Sequence, residues 1–212
     1  MRPVQIDIDP ADVDADGIAD GNASTGATVT LDGALTSGGS FTSADGLAHR
    51  ISIQDKGNDN QAGATYTITG TDADGNAQTE DITGPAGNAT VTSVAYWLTI
   101  TIIAIASPAA GSSVDIGTVD EIQTPTTCLN YRCHYGATVA IQGASGTAVS
   151  DIEETFGDLA ANTPENVNWW TLHADKNCTD AVFTMTRYAR GVRVNIDSYT
   201  NSCEYQLHIL QT

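Results

Sequence analysis

The chain has 212 residues, enough for one large or two small domains. Lysine and arginine number 8 against 26 aspartates and glutamates, which gives a formal net charge of -18. A surface of this charge repels nucleic-acid backbones and anionic membrane surfaces, so neither is an expected partner. Hydrophobic residues make up 41% of the chain, an ordinary share for a globular protein, and we therefore expect it to fold despite its charge.

The acidic residues are concentrated in the first half of the chain. Residues 1–122 carry 17 acids and 3 bases, whereas residues 123–212 carry 9 acids and 5 bases. This asymmetry predicts two domains with those boundaries. From residue 4 onward the chain alternates apolar and polar residues, and it has no apolar stretch of the kind found in a signal peptide. We therefore expect synthesis in the cytoplasm.

The first predicted strand, Val4–Ile8, is followed by an acidic loop over residues 9–21. Its aspartates are spaced like the first half of a calcium-binding loop, and a later one could add a carboxylate. The weak candidate ligands are Asp12, Asp14, Asp16 and Asp20. A calcium loop of this kind needs a bidentate glutamate at its twelfth position, where this chain has Ala23. We interpret the loop as a solvated acidic turn and predict no metal and no other cofactor.

The remaining elements of the first half also have the pattern of β-strands. Short runs alternate apolar and polar residues with period 2, and turn-forming residues separate them. The predicted strands cover residues 27–32, 47–54, the hairpin 64–84, the very apolar run 90–107 as one strand or a pair, and 114–119. Residues 33–46 are predicted to be a surface loop. Together these segments predict an Ig-like β-sandwich.

The second half continues the same pattern after a predicted linker over residues 120–127. Its predicted strands cover residues 137–142, 167–173, 181–188, 192–197 and 203–210. The best helical candidate in the chain is residues 151–159, where Ile152, Phe156 and Leu159 could share one face. The fold class is therefore predicted to be all-β, with a jelly-roll-like or sandwich domain following the Ig-like one.

These segments resemble a pattern that recurs in virion proteins of tailed bacteriophages. The resemblance is carried by the opening MRPVQIDI, DADGIA and VTLDGALTSGG, the hairpin ITGTDADGNAQTEDITGP, the strand VTSVAYWLTITII and the later ATVAIQG, NWWTL, RGVRVNIDSY and EYQLHILQ. It covers nearly the whole chain, which departs from the pattern in its four cysteines and its very apolar ITIIAIAS. The resemblance implies a structural role in the virion, most plausibly on the outer surface of the head as a capsid decoration or cement protein, and no catalytic residues.

The four cysteines, Cys128, Cys133, Cys178 and Cys203, all lie in the second domain. Three interpretations are open: a zinc site that includes His134, buried thiols, or disulfides. The zinc spacing is poor, because a second matched pair of ligands is missing. Thiols suit a reducing cytosol, whereas a virion that persists outside the cell permits disulfides. We favour at least one disulfide, with the pairing left open.

The second domain also concentrates residue types that are common at the centres of protein interfaces. The candidate partner-binding residues are Trp169, Trp170, Arg187, Arg190 and Arg193. Adjacent tryptophans on a strand point to opposite faces, so one is expected inside and the other outside. The arginines predict a patch that binds an acidic partner surface and leaves the more acidic domain outward.

No nucleophile elbow, metalloprotease motif or phosphate-binding loop is present in the sequence. Glu153 and Glu154 are neighbours and are not expected to act on one glycosidic bond. The sequence therefore predicts a non-enzymatic protein that binds the major capsid protein or other virion proteins and itself, as a homotrimer. The alternatives are a tail or head–tail component, and a carbohydrate-binding or adhesive surface module.

Overall fold

The fold is described from a computed structural model of the chain. The structure describes residues 4–23, 27–57, 60–109, 113–129, 137–159, 162, 167–175, 181–184, 189–200 and 203–211. All regular elements in these residues are β-strands, with their sheets in a sandwich-like arrangement, which confirms the all-β prediction. The assignment to Ig-like and jelly-roll-like topologies stays a prediction. Within the described part of the chain, no helix has the length and apolar character needed to cross a bilayer.

The described residues form seventeen strands, numbered in chain order. They are β1 (Val4–Ile8), β2 (Ala19–Ala23), β3 (Thr36–Ser37), β4 (Ser40–Thr42), β5 (Ala48–Asp55), β6 (Thr65–Thr71), β7 (Ala77–Thr83), β8 (Thr90–Thr92), β9 (Thr99–Ala106), β10 (Ser113–Gln123), β11 (Thr127–Cys128), β12 (Ala137–Ser145), β13 (Ala148–Thr155), β14 (Trp169–Asp175), β15 (Ala181–Thr184), β16 (Gly191–Tyr199) and β17 (Glu204–Gln211).

The chain divides into two compact units. Val13–Val119 form the first, here called the acidic unit, and Met1–Asp12 with Asp120–Thr212 form the second, called the terminal unit. The division differs from the predicted one at the N-terminus, because β1 pairs along its length with β17 instead of joining the acidic unit. The alternation of β1 identifies a strand, but it carries no information about which distant strand will pair with it.

The acidic unit contains a five-stranded sheet in the order β3-β4-β9-β6-β7. Its centre is the predicted hairpin, in which Thr65 of β6 pairs with Thr83 of β7 and Thr71 pairs with Ala77. The turn is closed by Asp72, whose carboxylate accepts a hydrogen bond of 2.8 Å from the backbone N–H of Asn76. The sequence prediction of this hairpin is confirmed.

A second sheet of the acidic unit follows the order β2-β10-β5-β8, and its core includes residues from both sheets. The largest side chains of this core, Trp97, Tyr66 and Phe41, are fully or almost fully buried. Isoleucines of β5, β6, β9 and β10 fill the space around them. Burial of this many branched and aromatic side chains supplies the hydrophobic stabilisation that a charged chain needs.

The apolar run 90–107 forms two strands, which is one of its two predicted alternatives, and these strands, β8 and β9, lie in different sheets with a loop between them. Two other predictions for the acidic unit need correction. Residues 27–32 contribute one isolated bridge, Thr28 to Ala104, and no strand, although Val29 and Leu31 are buried. The predicted surface loop 33–46 contains the short strands β3 and β4, because Phe41 is buried and draws that segment onto β9.

The terminal unit contains the sheet β1-β17-β12-β15 and the strands β14-β13-β16, which continue to the last residues of β10. The helical candidate 151–159 is not helical: residues 148–155 form β13, where Ala148, Ser150, Ile152 and Glu154 are buried with the period of a strand. The predicted linker is also wrong. Ile122 pairs with Ile196 of β16, and β11 pairs with the start of the same strand.

Candidate docking site

The two adjacent tryptophans begin β14, at the edge of its sheet. Trp170 is 45% exposed, and its ring packs against Phe156 with 5.3 Å between ring centroids at an interplanar angle of 56°. Trp169 lies beneath Arg193, whose guanidinium carbon is 4.1 Å from the ring centroid. The tryptophans therefore have separate environments, as their alternation along a strand requires.

Arg193 is fixed by two contacts from neighbouring strands. It pairs directly with Glu153 across β16 and β13, and its Nε donates a hydrogen bond of 2.7 Å to the Glu153 Oε2. The side chains of Arg193 and Glu153 are only 14% and 17% exposed. A cation over the face of Trp169 adds a further contact, which contributes about 0.5–1 kcal/mol at exposed sites and about 2 kcal/mol when desolvated. In these three side chains the one positive charge is paired with the one negative charge.

Arg190, the other arginine of the predicted patch that the structure describes, also binds an acid of its own chain. The Arg190 Nη1 lies 2.8 Å from the Asp158 Oδ1, and the Arg190 backbone N–H donates a hydrogen bond of 2.7 Å to the carbonyl of Thr155. Both described arginines of the predicted basic patch are thus paired within the terminal unit. Neither of these two arginines therefore presents a positive charge without a neighbouring acid, unlike the basic patch that the sequence predicted.

Acidic side chains continue from the Arg193–Glu153 pair along the same strands. Asp197 of β16 is exposed, yet its pKa is raised, first by desolvation from the protein on one side and then by the negative charges of Asp151, Glu121 and Glu153. A raised pKa in the folded state means that the ionised carboxylate opposes folding. Below the unfolded pKa, about 3.9, the carboxyl is neutral in both states and does not oppose folding. The free energy of unfolding then falls as the pH rises through the folded pKa.

We therefore expect Asp197→Asn to raise the melting temperature of the protein slightly near neutral pH, since solvent screens most of the repulsion at an exposed carboxylate. The difference from wild type should shrink as the pH falls toward about 3.9, where the wild-type carboxylate also becomes neutral. Thermal unfolding at several pH values measures this difference in melting temperature. The control Glu204→Gln removes the same charge from another exposed position, on β17 in a different sheet from Asp151, Glu153 and Asp197. An Asp197→Asn effect that equals this control at every pH would contradict the prediction.

The predicted cysteine site is only partly within the described residues. Cys128 is exposed at the end of β11 and carries a free thiol, whereas Cys203 is fully buried just before β17. No disulfide joins these two described cysteines. Cys133 and Cys178 lie outside the described residues, as does Arg187 of the candidate binding set. The predicted disulfide stays a prediction, with its pairing open.

The acidic loop after β1 is held by hydrogen bonds to the chain itself. The Asp14 N–H donates to the Thr118 Oγ1 at 3.1 Å, and the Thr118 N–H donates back to the Asp14 carbonyl at 2.8 Å. Asp20 binds the Lys56 Nζ at 2.9 Å, and this contact raises the pKa of Lys56. Asp16 has a raised pKa, first because of its side-chain hydrogen bond with Asp14.

Asp12, the fourth calcium candidate, is exposed. In the part of the chain that the structure describes, no three histidine, cysteine or acidic side chains are grouped so that they could hold a metal ion.

Sequence reasoning missed the residues that complete the site, namely Glu153, Phe156 and Asp158. Glu153 and Glu154 are adjacent in sequence, but Glu154 is buried while Glu153 binds Arg193. The signal that could have revealed Glu153 is the strand register, in which it lies opposite an arginine that is 40 residues away. That register depends on the whole sheet and is not encoded in the local pattern.

Comparison with known proteins adds no identification: no protein family, curated protein or solved structure matches the chain.

Proposed function

We propose that the protein is a non-enzymatic structural protein of a tailed-bacteriophage virion, which binds the outer surface of the head as a decoration or cement protein. Its partner is the major capsid protein or another virion protein. The sequence resemblance supports the virion role, and the aromatic site of the terminal unit supports binding to a protein surface. In this proposal the acidic unit has an Ig-like topology and the terminal unit a jelly-roll-like one.

The observation that carries the docking proposal is the exposed Trp170 ring supported by Phe156. Tryptophan and arginine dominate binding energy at protein interfaces, and they do so from positions that the free protein already holds in place. Nearby, the Arg193–Glu153 pair is already formed within the chain, which reduces the side-chain ordering that binding requires. The site is therefore suited to bury apolar surface against a partner with few charges.

Charge supports the orientation of the protein on the particle. Residues 13–119 contain 12 acids and only 2 bases. One of those bases, Lys56, is paired with both Asp20 and Asp115. Like-charged units repel one another, so solvent is the favourable place for the acidic unit on a crowded shell. A homotrimer on the three-fold sites of such a shell would strengthen a weak contact through avidity.

The proposal predicts that Trp170→Ser weakens binding to heads by about 30-fold or more, the loss expected for an interface hot spot. The measurement is co-sedimentation of purified protein with heads that lack it. The matched control is Val94→Ser, which removes an even more exposed apolar side chain from the acidic unit and should bind as wild type does. Unchanged binding of Trp170→Ser, or binding of the wild type to tails alone, would refute capsid docking.

A second candidate function is carbohydrate binding. An exposed tryptophan ring can stack on a sugar, and Trp170 presents such a ring beside Phe156. A glycan array separates the two functions. Glycan binding that is lost in Trp170→Ser, without any binding to heads, would favour the adhesive module over the capsid protein.

A further inference from the structure

The strand β7 lies at one edge of its sheet, where β6 pairs with one side of it and no described strand pairs with the other. Hydrogen bonds at the two ends of the β6–β7 ladder fix its pattern. The Asp72 N–H donates to the Asn76 carbonyl at 3.0 Å, and the Gly84 N–H donates to the Ala64 carbonyl at 3.0 Å. Bonded pairs alternate along an antiparallel ladder, so the even-numbered residues of β7 bond to β6. The backbone N–H and C=O groups that point away from the sheet are those of Ala77, Thr79, Asp81 and Thr83.

The edge of β7 has few of the features that keep exposed strands from pairing with other chains. The common ones are proline, lysine and β-bulges. The strand contains neither proline nor lysine, and all seven of its residues pair with β6 in an unbroken register. The four residues whose backbone groups point away from the sheet also have exposed side chains. The edge is therefore open to an added strand, the mode of binding in which an extended peptide joins a sheet.

Two acids of β7 decide which kind of strand fits this edge. The Glu80 carboxylate is held within the chain, since it accepts hydrogen bonds from the N–H groups of Val94 and Ala95 at 2.7 Å and 3.0 Å. Asp81 is exposed, and its Oδ1 accepts a hydrogen bond of 2.6 Å from the Thr67 Oγ1 of β6. A residue opposite Asp81 on an added strand would be about 5 Å away, where an opposite charge stabilises the pair and a like charge destabilises it.

We propose that the edge of β7 binds an extended, basic segment of another protein, which adds a strand to the sheet with lysine or arginine opposite Asp81. A second copy of the chain is the less favourable occupant, because residues 13–119 contain 12 acids and 2 bases and two acidic units repel each other. The same charge attracts a basic segment. The inference does not depend on capsid docking, since β7 belongs to the acidic unit and Trp170 to the terminal unit.

The test uses the full-length protein and a synthetic nine-residue peptide with the repeat lysine-threonine-valine-threonine, which begins and ends with lysine. We expect this peptide to bind and to shift the amide NMR signals of the four β7 residues whose N–H groups point away from the sheet. Binding should weaken at high salt, because salt screens the attraction between opposite charges. A peptide with glutamate in place of each lysine should not bind.

Two variants separate the backbone contact from the charge. Thr79→Pro removes an N–H group that β6 does not use, so the fold should remain while peptide binding falls by about tenfold or more. Asp81→Asn keeps an acceptor for Thr67 and removes the charge, which should weaken binding by about two- to fivefold. The matched control is Asp32→Asn, which removes the same charge from an exposed loop position of the acidic unit and should bind nearly as well as wild type.

Failure of the lysine peptide to bind, equal binding of the glutamate peptide, or unchanged binding by both variants would overturn the proposal. Self-association of the purified protein that is lost in Thr79→Pro would also contradict it, because a second copy would then occupy the edge. Melting temperatures check that Thr79→Pro is folded. If it is not, a lysine peptide that is N-methylated at alternate residues replaces it and should not bind wild type. Trp170→Ser should bind the peptide normally whether or not it binds heads, so the two proposals fail separately.

Discussion

Replacing Gly70 by alanine is expected to destabilise the acidic unit by about 3 kcal/mol or more. Gly70 lies in β6 at an irregularity in its pairing with β9. An added Cβ would lie 1.9 Å from the Thr99 carbonyl oxygen and 3.0 Å from the Ile100 Cα. Both are backbone atoms of the neighbouring strand, so the methyl group can be accommodated only by separating β6 from β9. That separation would disturb Ile68 and Ile100, which are fully buried in the core.

Denaturant unfolding of the full chain measures this loss, and Gly63→Ala is its matched control. Gly63 precedes β6, has no atom within 4 Å of its added Cβ and has no positive φ. Its replacement should change the unfolding free energy by no more than about 0.5 kcal/mol. A Gly70→Ala variant that loses less than about 1 kcal/mol would show that β6 and β9 can move apart at little cost.

The same hairpin shows what the sequence could predict. Thr65–Thr71 alternate with period 2, and the following residues supply both the carboxylate of Asp72 and the glycine Gly75, whose φ is +80°. These signals are local: the strand, its turn and its return strand lie within twenty residues. Formation of the hairpin therefore depends little on the rest of the chain, and the register of β6 with β7 follows from the turn.

Pairing between distant strands could not be predicted in this way. Val4–Ile8 have the pattern of a strand that could join either unit, and their place beside β17 is decided by the apolar residues of that strand near the other end of the chain. Residues 120–123 contain acids and precede a proline, which is typical of a linker, yet Ile122 is buried opposite Ile196. In both cases tertiary packing outweighed local composition.

The candidate docking site also contains some features that the sequence could predict and some that it could not. The sequence showed that Trp169 and Trp170 would take opposite faces of a strand, since alternation is a local property. It could not show that Arg193 would be neutralised by Glu153 or Arg190 by Asp158, because both pairs depend on which strands and loops come together. The charge of a surface is thus poorly predicted by counting arginines in one segment.

Arg193→Glu is expected to destabilise the protein by about 2–4 kcal/mol at neutral pH, the cost of leaving a partly buried charge without its partner. The new carboxylate would lie directly opposite Glu153, which is only 17% exposed, and would remove the cation from the Trp169 ring. It would also add to the negative charge that already raises the pKa of Asp197. Denaturant unfolding measures the loss.

The matched control is Arg190→Glu, which makes the same change of charge in an exposed pair. The Arg190 and Asp158 side chains are 32% and 53% exposed, so water can solvate both charges when the ion pair is removed. The free energy of unfolding should therefore fall by less than about 1 kcal/mol. Adding Glu153→Arg to Arg193→Glu reverses the pair and should restore part of the stability, because opposite charges again face each other across β13 and β16. Equal losses for Arg193→Glu and Arg190→Glu, or no recovery in the reversed pair, would mean that Arg193 stabilises the sheet by its packing on Trp169 and not by its charge.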